Sequence, residues 1–545
     1  MSSTIKNIHL QVKWKVKIAA WDSIGEMILF SAPKKTFCLQ NILEPNLQFT
    51  KTEIQIGLLS IFKKYIKVVQ RSFVETIIGL RRSRKNFHFF SEKRMTKRLN
   101  CAKFHCFRRI ESMRLGIMTL LLAALNLFAQ YDTVRDPRKG GLVRYAGDYG
   151  SKPTVLLPRN PRINHNSFRG IWVATVENLD FPVSHNPEEF KRNFRKVVEN
   201  LKKAGANAVV FQVRPMNDAF YQSRLNPWSV YLSGKQGQPI GFDPLPYMIA
   251  EAHKHGLQFH AWLNPYRIAA KTDLGKNAYL STLAPNNFAR KNPSLVLCTR
   301  RSDGLNHLIY DPGNPKTIQF LCATVKEIIS KYPVDAIHMD DYFYPYDGIG
   351  NADAASFRAY NPKKLDLDSW RRANVDTLIY SLSTLIRNYN RAHRKNIQFG
   401  ISPFGIWVNR KTHASGSLTG GSESYYVQHA DTRKWMRLGW IDYIVPQLYW
   451  TFGHDKAAYA ALADWWAQQA RGSRTRLYLG LSPARLGSGP EWSNPDEIYN
   501  QMRYNSRNGL IRGVILFSYR SLFAPSNATM SKGAEKALSL WRNCK

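Results

Sequence analysis

Two aspartates stand side by side in the run AIHMDDYFYPYDG, at positions 340 and 341. Alternate side chains of an extended segment share a face. Ile337 and Met339 therefore go to one face, and His338 and Asp340 to the other. The apolar pair suits packing beneath helices, which sends His338 and Asp340 inward. Asp340 then ends the strand and Asp341 opens the loop, where it also suits a cap. A carboxyl at such a rim can serve as acid, base or nucleophile. Cleaving a glycosidic bond takes two carboxyls, about 5–5.5 Å apart for retention and about 6.5–9.5 Å for inversion. Three residues compete as a separate partner. Asp431 precedes a helix-like segment, where stabilisation of a helix N-terminus explains it equally well. Glu423 lies in a Gly/Ser-rich loop, and Glu177 ends an earlier strand-like run. The acid of the pair needs its pKa raised by burial or by a neighbouring charge.

Further polar and aromatic residues fall at the ends of other strand-like runs. Gln212 and Arg214 close one, with Asp218 just beyond in RPMNDAFY. His260, Trp262 and Asn264 alternate along the next, followed by Tyr266 and Arg267. Tyr342 follows the aspartate pair, Gln447 and Tyr449 alternate before Trp450, and Tyr519 ends the last run. Aromatic faces beside amides and carboxylates suit sugars, whose C–H faces stack while their hydroxyls need fixed donors and acceptors. The H-x-D placement of His338 and Asp340 resembles the R-x-D of other barrels, where the inward neighbour helps hold the aspartate ionised. His260 and His338 could ligate a metal, but no HxH, HExxH or Cys/His cluster includes them, and the HKH at 253–255 falls on a helix end and suits solvated surface, so no metal or other cofactor is expected. A GxSxG elbow, a phosphate-cradling GKS/T and a GxGxxG after the first run are absent too.

The elements that must position these residues alternate. Strand-like runs at 169–176, 208–214, 258–264, 336–341, 398–404, 443–450, 476–482 and 513–519 are separated by helix-like segments at 187–203, 244–255, 315–331, 369–391, 455–470 and 495–508. Such alternation signals a parallel sheet with helices outside it. Eight units predict an α/β fold of the (β/α)8 TIM type over 166–545, with long βα loops after the second and third strands forming the site.

The stretches RGIWVATVENLDFP (169–182), FQVRPMNDAFYQS (211–223), EAHKHGLQFHAWLNPYR (251–267), IHMDDYFYP (337–345), FGISPFGIW (399–407), ADTRKWMRLGWIDYIVPQLYW (430–450) and GVILFSYR (513–520) resemble, in order, the bacterial glycosyl hydrolase-like family 10. The resemblance implies a glycoside hydrolase barrel in exported proteins, some of them linked to peptidoglycan glycan strands. It places the family's motif aspartates on Asp340 and Asp341, and its polar set of the second strand on Gln212, Arg214 and Asp218. The substrate expected from it is an oligo- or polysaccharide. The alternative is a glycan-binding barrel of the cell envelope that does not cleave.

The chain of 545 residues carries a formal charge of +39. Residues 1–112 hold 22 Lys and Arg against 7 Asp and Glu, and the rest 56 against 32, so the bias is spread throughout. Such a field favours anionic partners in general. Nucleic-acid motifs are absent, and no nucleic-acid partner is expected. The run MRLGIMTLLLAALNLFAQ from Met113 has the order of a secretory signal, with cleavage after Ala129. The apolar stretch is short for a membrane span of about 20 residues, so no stable span is expected after cleavage. These features predict an exported protein starting at Met113, with 1–112 an unstructured over-extension of the reading frame and 130–165 a linker. Of the six cysteines, Cys298 and Cys322 could form a bridge or stay as buried thiols. The oligomeric state is left open.

Overall fold

The computed structural model describes residues 130–150 and 153–544, together with three short strands before them. The chain divides into two units, 1–129 and 130–545. In the first, Lys15–Ala19, Met27–Ala32 and Lys35–Cys38 pair antiparallel in chain order. The signal peptide expected at 113–129 and the rest of the expected over-extension lie outside the described residues.

The second unit is built on a closed ring of eight parallel strands: β1 Phe168–Val173, β2 Ala208–Arg214, β3 Gln258–Leu263, β4 Ala336–Met339, β5 Gln398–Ile401, β6 Tyr443–Ile444, β7 Arg476–Leu481 and β8 Ile511–Leu516. Each strand pairs with the next and β8 returns to β1, with Gly513 opposite Phe168. A helix follows every strand: α1 Pro187–Lys203, α2 Pro244–Lys254, α3 Pro315–Lys331, α4 Leu367–His393, α5 Thr432–Arg437, α6 Tyr459–Ala470, α7 Glu497–Asn505 and α8 Ala528–Arg542. The (β/α)8 fold is thus as the sequence predicts, with α5 and α8 added to the helix-like segments. The side chains of Asn186, Asp243, Asn314, Asp366, Asp431 and Asn527 each accept a backbone N–H at the start of their helix, satisfying donors that the helix leaves free. In α1, Phe190, Phe194, Val197, Val198 and Leu201 are buried at helical spacing against the sheet. Gly205 then turns the chain at φ +80°, where a Cβ would press on the Trp541 backbone of α8.

Inside the ring Phe168, Trp172, Val210, Trp262, Tyr443, Tyr478 and Ile515 form a separate packed cluster. Gly400 faces the Tyr443 ring so closely that a Cβ there would occupy the same space. A polar chain threads this interior. Trp172 Nε1 donates to His338 Nε2 at 3.2 Å, and Tyr443 Oη lies 3.0 Å from His338 Nδ1 and 2.8 Å from His260 Nδ1. His260 Nε2 in turn lies 3.0 Å from Gln258 Oε1. Two neutral histidines satisfy every link, and burial accordingly pushes His260 down to about 4 and His338 well below its usual value.

Two departures from the sequence expectation concern segments outside the ring. The long loop after β3 carries an antiparallel sheet in which Asn306–Tyr310 lies between Val296–Arg300 and Arg267–Thr272. The stretch expected as a linker is packed onto the barrel. Tyr131–Thr133 pairs with Leu156–Pro158, Arg503 of α7 binds Asp132 at 2.6 Å, and Arg138 donates to Gly453 O at 2.6 Å behind the loop that follows β6. Cys298 and Cys322 are free and partly buried, and burial pushes the Cys322 thiol up to about 11. Among the described residues no helix is long and apolar enough to cross a membrane.

Candidate active site

Strand β4 delivers both aspartates to the C-terminal mouth of the ring, and each is 4% exposed. Asp340 takes the axial position. Trp262 Nε1 donates to its Oδ2 at 3.0 Å, Asn264 Nδ2 reaches both carboxylate oxygens at 3.1 Å, and the Tyr342 amide lies 3.4 Å from Oδ1. Asn264 is itself held through its Oδ1 by the Arg267 amide at 3.0 Å. Arg267 is 5% exposed and stacks on the Tyr342 ring at 4.0 Å. Burial raises the Asp340 pKa, and the Arg267 charge with the three donors opposes the rise.

Asp341 turns toward other partners. Tyr346 donates its hydroxyl to Oδ2, and the Gln447 amide, fixed on Ser402 O at 2.8 Å, also bonds the carboxyl. Burial, followed by repulsion from Asp340, pushes Asp341 up to about 7. The two groups therefore titrate as a pair. Asp340 loses its proton first because its donors favour the anion, and Asp341 keeps its proton near neutrality. One ionised and one protonated carboxyl, side by side, is the charge pattern of acid catalysis.

Aromatic rings border the pair. Tyr342, Tyr346, Phe404, Trp450 and His454 follow one another at 5.8, 5.8, 5.3 and 6.3 Å between centroids, crossing the loops after β4, β5 and β6. Nearer the axis, Phe517 lies 5.9 Å from Tyr449 and 6.2 Å from Trp172. The Tyr449 hydroxyl feels the Asp341 charge, which together with burial pushes its pKa well up and keeps it a donor.

Of the residues expected at the site, Asp340, Asp341, Trp262, Asn264, Arg267, Tyr342, Gln447, Tyr449 and Trp450 are brought together. Others serve the frame. His338 lies one layer deeper and bonds Trp172, Tyr443 and Ser402, so the expected support for Asp340 comes from Trp262, Asn264 and Arg267 instead. His260 belongs to the same interior chain. Gln212 accepts the Thr175 and Val176 amides at 3.0 Å, and its Nε2 is buried without a partner beside the ring's mouth. A register shift between Gln212 and Arg214 breaks the alternation of β2, and Arg214 instead holds the Asn264 carbonyl at 2.7 Å and Asn226 at 3.1 Å. Asp218 braces the Val230 amide and Gln236. Tyr266 is buried, with no partner for its hydroxyl, beside Asp311 and Cys322. The Tyr519 hydroxyl accepts from Asn200 of α1 at 2.8 Å, on the outside of the ring.

The three partner acids also divide. Asp431 caps α5, accepting Lys434 N at 3.2 Å and Trp407 Nε1 at 3.1 Å. Glu423 accepts Asn409 N at 2.7 Å and ties its own loop. Glu177 is exposed in a turn at φ 54° after β1. Sequence reasoning missed Tyr346 and Phe404; the density of aromatics in DDYFYPYDG was the available signal for Tyr346. Among the described residues no three His, Cys, Asp or Glu side chains stand where they could hold a metal ion.

Residues 167–498 match the glycosyl hydrolase-like 10 family. The chain belongs to that family. It is 40% identical over 363 residues to the glycosyl hydrolase YngK of Bacillus subtilis, covering 65% of this chain and 68% of the relative. It is 36% identical over 388 residues to the glycosyl hydrolase DigH of Escherichia coli, covering 68% and 85%. Among solved structures it is similar to an alpha-L-fucosidase isoenzyme 2 from Paenibacillus thiaminolyticus, with TM-score 0.42 and 15% identity over 68% of this chain and 49% of that one. It is also similar to a GH20 exo beta-N-acetylglucosaminidase from Vibrio harveyi, with TM-score 0.40 and 12% identity over 76% and 59%. It spans about half the length of the first and under two thirds of the second.

Proposed function

We propose that this member of the glycosyl hydrolase-like 10 family hydrolyses glycosidic bonds of a polysaccharide outside the cytoplasm, with the glycan strand of the cell wall as the leading substrate. The observation that carries this reading is the asymmetric pair at the barrel mouth, Asp340 bonded by Trp262, Asn264 and the Tyr342 amide, and Asp341 beside it pushed up to about 7 by burial and by Asp340. Asp341 protonates the departing glycosidic oxygen. Asp340 stabilises the positive charge that develops on the sugar ring as the bond breaks. The aromatic run from Tyr342 to His454 suits several consecutive sugars, hence an oligomeric substrate. The relatives named glycosyl hydrolases support the reaction class. Export is supported by the signal-like run at 113–129, which ends where the compact unit beginning at Gln130 starts.

A second reading, a glycan-binding barrel that does not cleave, draws on the commitment of Asp431 and Glu423 to backbone amides. One experiment separates the two. The full chain is incubated with purified cell-wall glycan, with and without stem peptides, and with a polysaccharide panel, and the products are sized by mass spectrometry. The wild type is expected to release oligosaccharides, and Asp340→Asn to cut roughly a hundred- to thousandfold more slowly while still binding. Binding without cleavage by the wild type would leave only the second reading standing.

A further inference from the structure

Positive charge is spread along the sequence, but the fold sorts it. All eight strands run the same way round the ring, so each segment leading from a helix to the next strand lies at the end opposite Asp340 and Asp341. Counted from the last residue of each helix to the first of the next strand, with 542–544 after α8, these segments hold 11 Lys and Arg against 2 Asp and Glu. The two acids, Asp335 and Asp442, accept the Phe259 and Phe399 amides at 2.7 and 2.8 Å. The segments at the mouth, counted in the same way from strand to helix, hold 18 of each sign. The mouth is balanced and the opposite face is basic. Stabilisation of helix C-termini accounts for about one cation per helix. It does not account for Arg394 and Lys395 beyond the end of α4, or for Arg471, Arg474 and Arg476 between α6 and β7. All five are exposed, and among the described residues none takes part in an ion pair.

Two clefts open on this face. One, of about 480 Å³, is lined by Arg169, Lys202, Lys203 and Arg542. The other, of about 410 Å³, is lined by Arg387, Arg474 and Leu438, with Asp442 as its one acid. Leu438 is 57% exposed, more than any other large hydrophobic side chain among the described residues. An apolar side chain standing among cations suits a surface that lies on lipid. There the cations meet anionic headgroups and the apolar group enters the acyl boundary.

We propose that this face docks the protein on a membrane surface rich in anionic phospholipid. Headgroup phosphates enter the two clefts, Leu438 reaches the acyl boundary, and the mouth is turned away from the lipid. Breadth favours a lipid surface over a single polyanionic strand. The cations come from the ends of α1, α4, α6 and α8, spaced around the ring. A flat sheet of charge meets them together, and one strand does not. The proposal stands apart from the hydrolytic reading.

The test sediments the full chain with phosphatidylcholine vesicles that either contain or lack phosphatidylglycerol. The wild type should bind only the anionic vesicles and come off as salt rises. Arg391→Gln, Lys395→Gln, Arg471→Gln and Arg474→Gln, made together, should weaken binding by roughly a hundredfold. Lys271→Gln, Lys363→Gln, Lys364→Gln and Lys411→Gln remove the same charge from exposed positions on the mouth loops and should leave binding nearly unchanged. Residues 1–129 are identical in both variants, so the difference between them reports the face alone. Leu438→Gln should weaken vesicle binding several-fold and leave retention on immobilised heparin, which senses charge, as it is. The Tm of each variant shows that it is folded. Equal loss from the two fourfold variants, no loss from either, or binding to neutral vesicles would overturn the proposal. An indifferent Leu438→Gln, with duplex DNA displacing the protein from vesicles, would assign the face to a soluble polyanion and overturn it as well.

Discussion

At the residue scale the proposed reaction depends on two neighbouring carboxyls having different protonation states. Burial raises both; the Arg267 charge, an indole and an amide oppose the rise at Asp340, whereas repulsion from Asp340 adds to it at Asp341. In the proposed reaction the protonated form of Asp341 is the acid, so kcat/KM should fall as pH rises through about 7. The acid limb follows Asp340 and should lie above the usual carboxylate range. Tyr346→Phe removes a donor from the Asp341 anion, so the basic limb should move to higher pH; a limb left in place would show that another group controls it. The sequence made the pair visible because alternation sets Asp340 inward and the mouth of a parallel barrel is where polar strand ends collect. It misjudged His338 because phase gives the face but not the depth. One residue pair farther down the strand, the side chain meets Trp172 and Tyr443 and cannot support Asp340.

At the element scale, all eight strands lie where hydrophobic runs put them, while several ends are shorter. Strand β5 stops at Ile401 and β6 at Ile444, ahead of Pro403 and Pro446, which cannot donate to a ladder. Beyond such ends period-2 reasoning lapses, and Tyr266 and Tyr519, each past its strand, turn away from the mouth. Arg214 was misplaced by the irregular register of β2, which a sequence pattern does not reveal. Capping by Asn and Asp explains Asp431, whose role matches that of five other helix starts. The loop bearing Trp450 is anchored through Glu497 of α7, which accepts the Phe452 amide at 2.8 Å and Gln501 at 3.0 Å. Burial pushes Glu497 up to about 7. Its folded pKa thus exceeds the unfolded one, so its share of stability is fully present below the unfolded pKa and is lost as pH rises through about 7. Glu497→Gln keeps an acceptor without the charge. It should match the wild type in denaturant melts at pH 4 and exceed it by on the order of 2–3 kcal/mol at pH 8. An equal stability difference at both pH values would mean that the carboxyl is not the cause.

At the scale of the molecule, the family match ends at residue 498, yet the ring closes only through β8 and is clasped by α8. The segment 130–158 belongs to the same structure, since Arg138 and Asp132 tie it to the β6 loop and to α7. Composition hid this: a polar, proline-containing stretch without periodicity reads as a linker, and only its long-range contacts bury Val134, Val143, Val155 and Leu157. The basic charge, spread over the chain, suits a negatively charged glycan network without specifying it. The barrel, its closure and its docked segment together frame the mouth that carries Asp340 and Asp341, where the proposed hydrolysis takes place. The most direct measurement digests cell-wall glycan with the full chain in water enriched in heavy oxygen and weighs the products. One heavy oxygen at each new reducing end, absent with Asp341→Asn, is the expected result. Products lacking the label, or no products at all, would contradict hydrolysis at this pair.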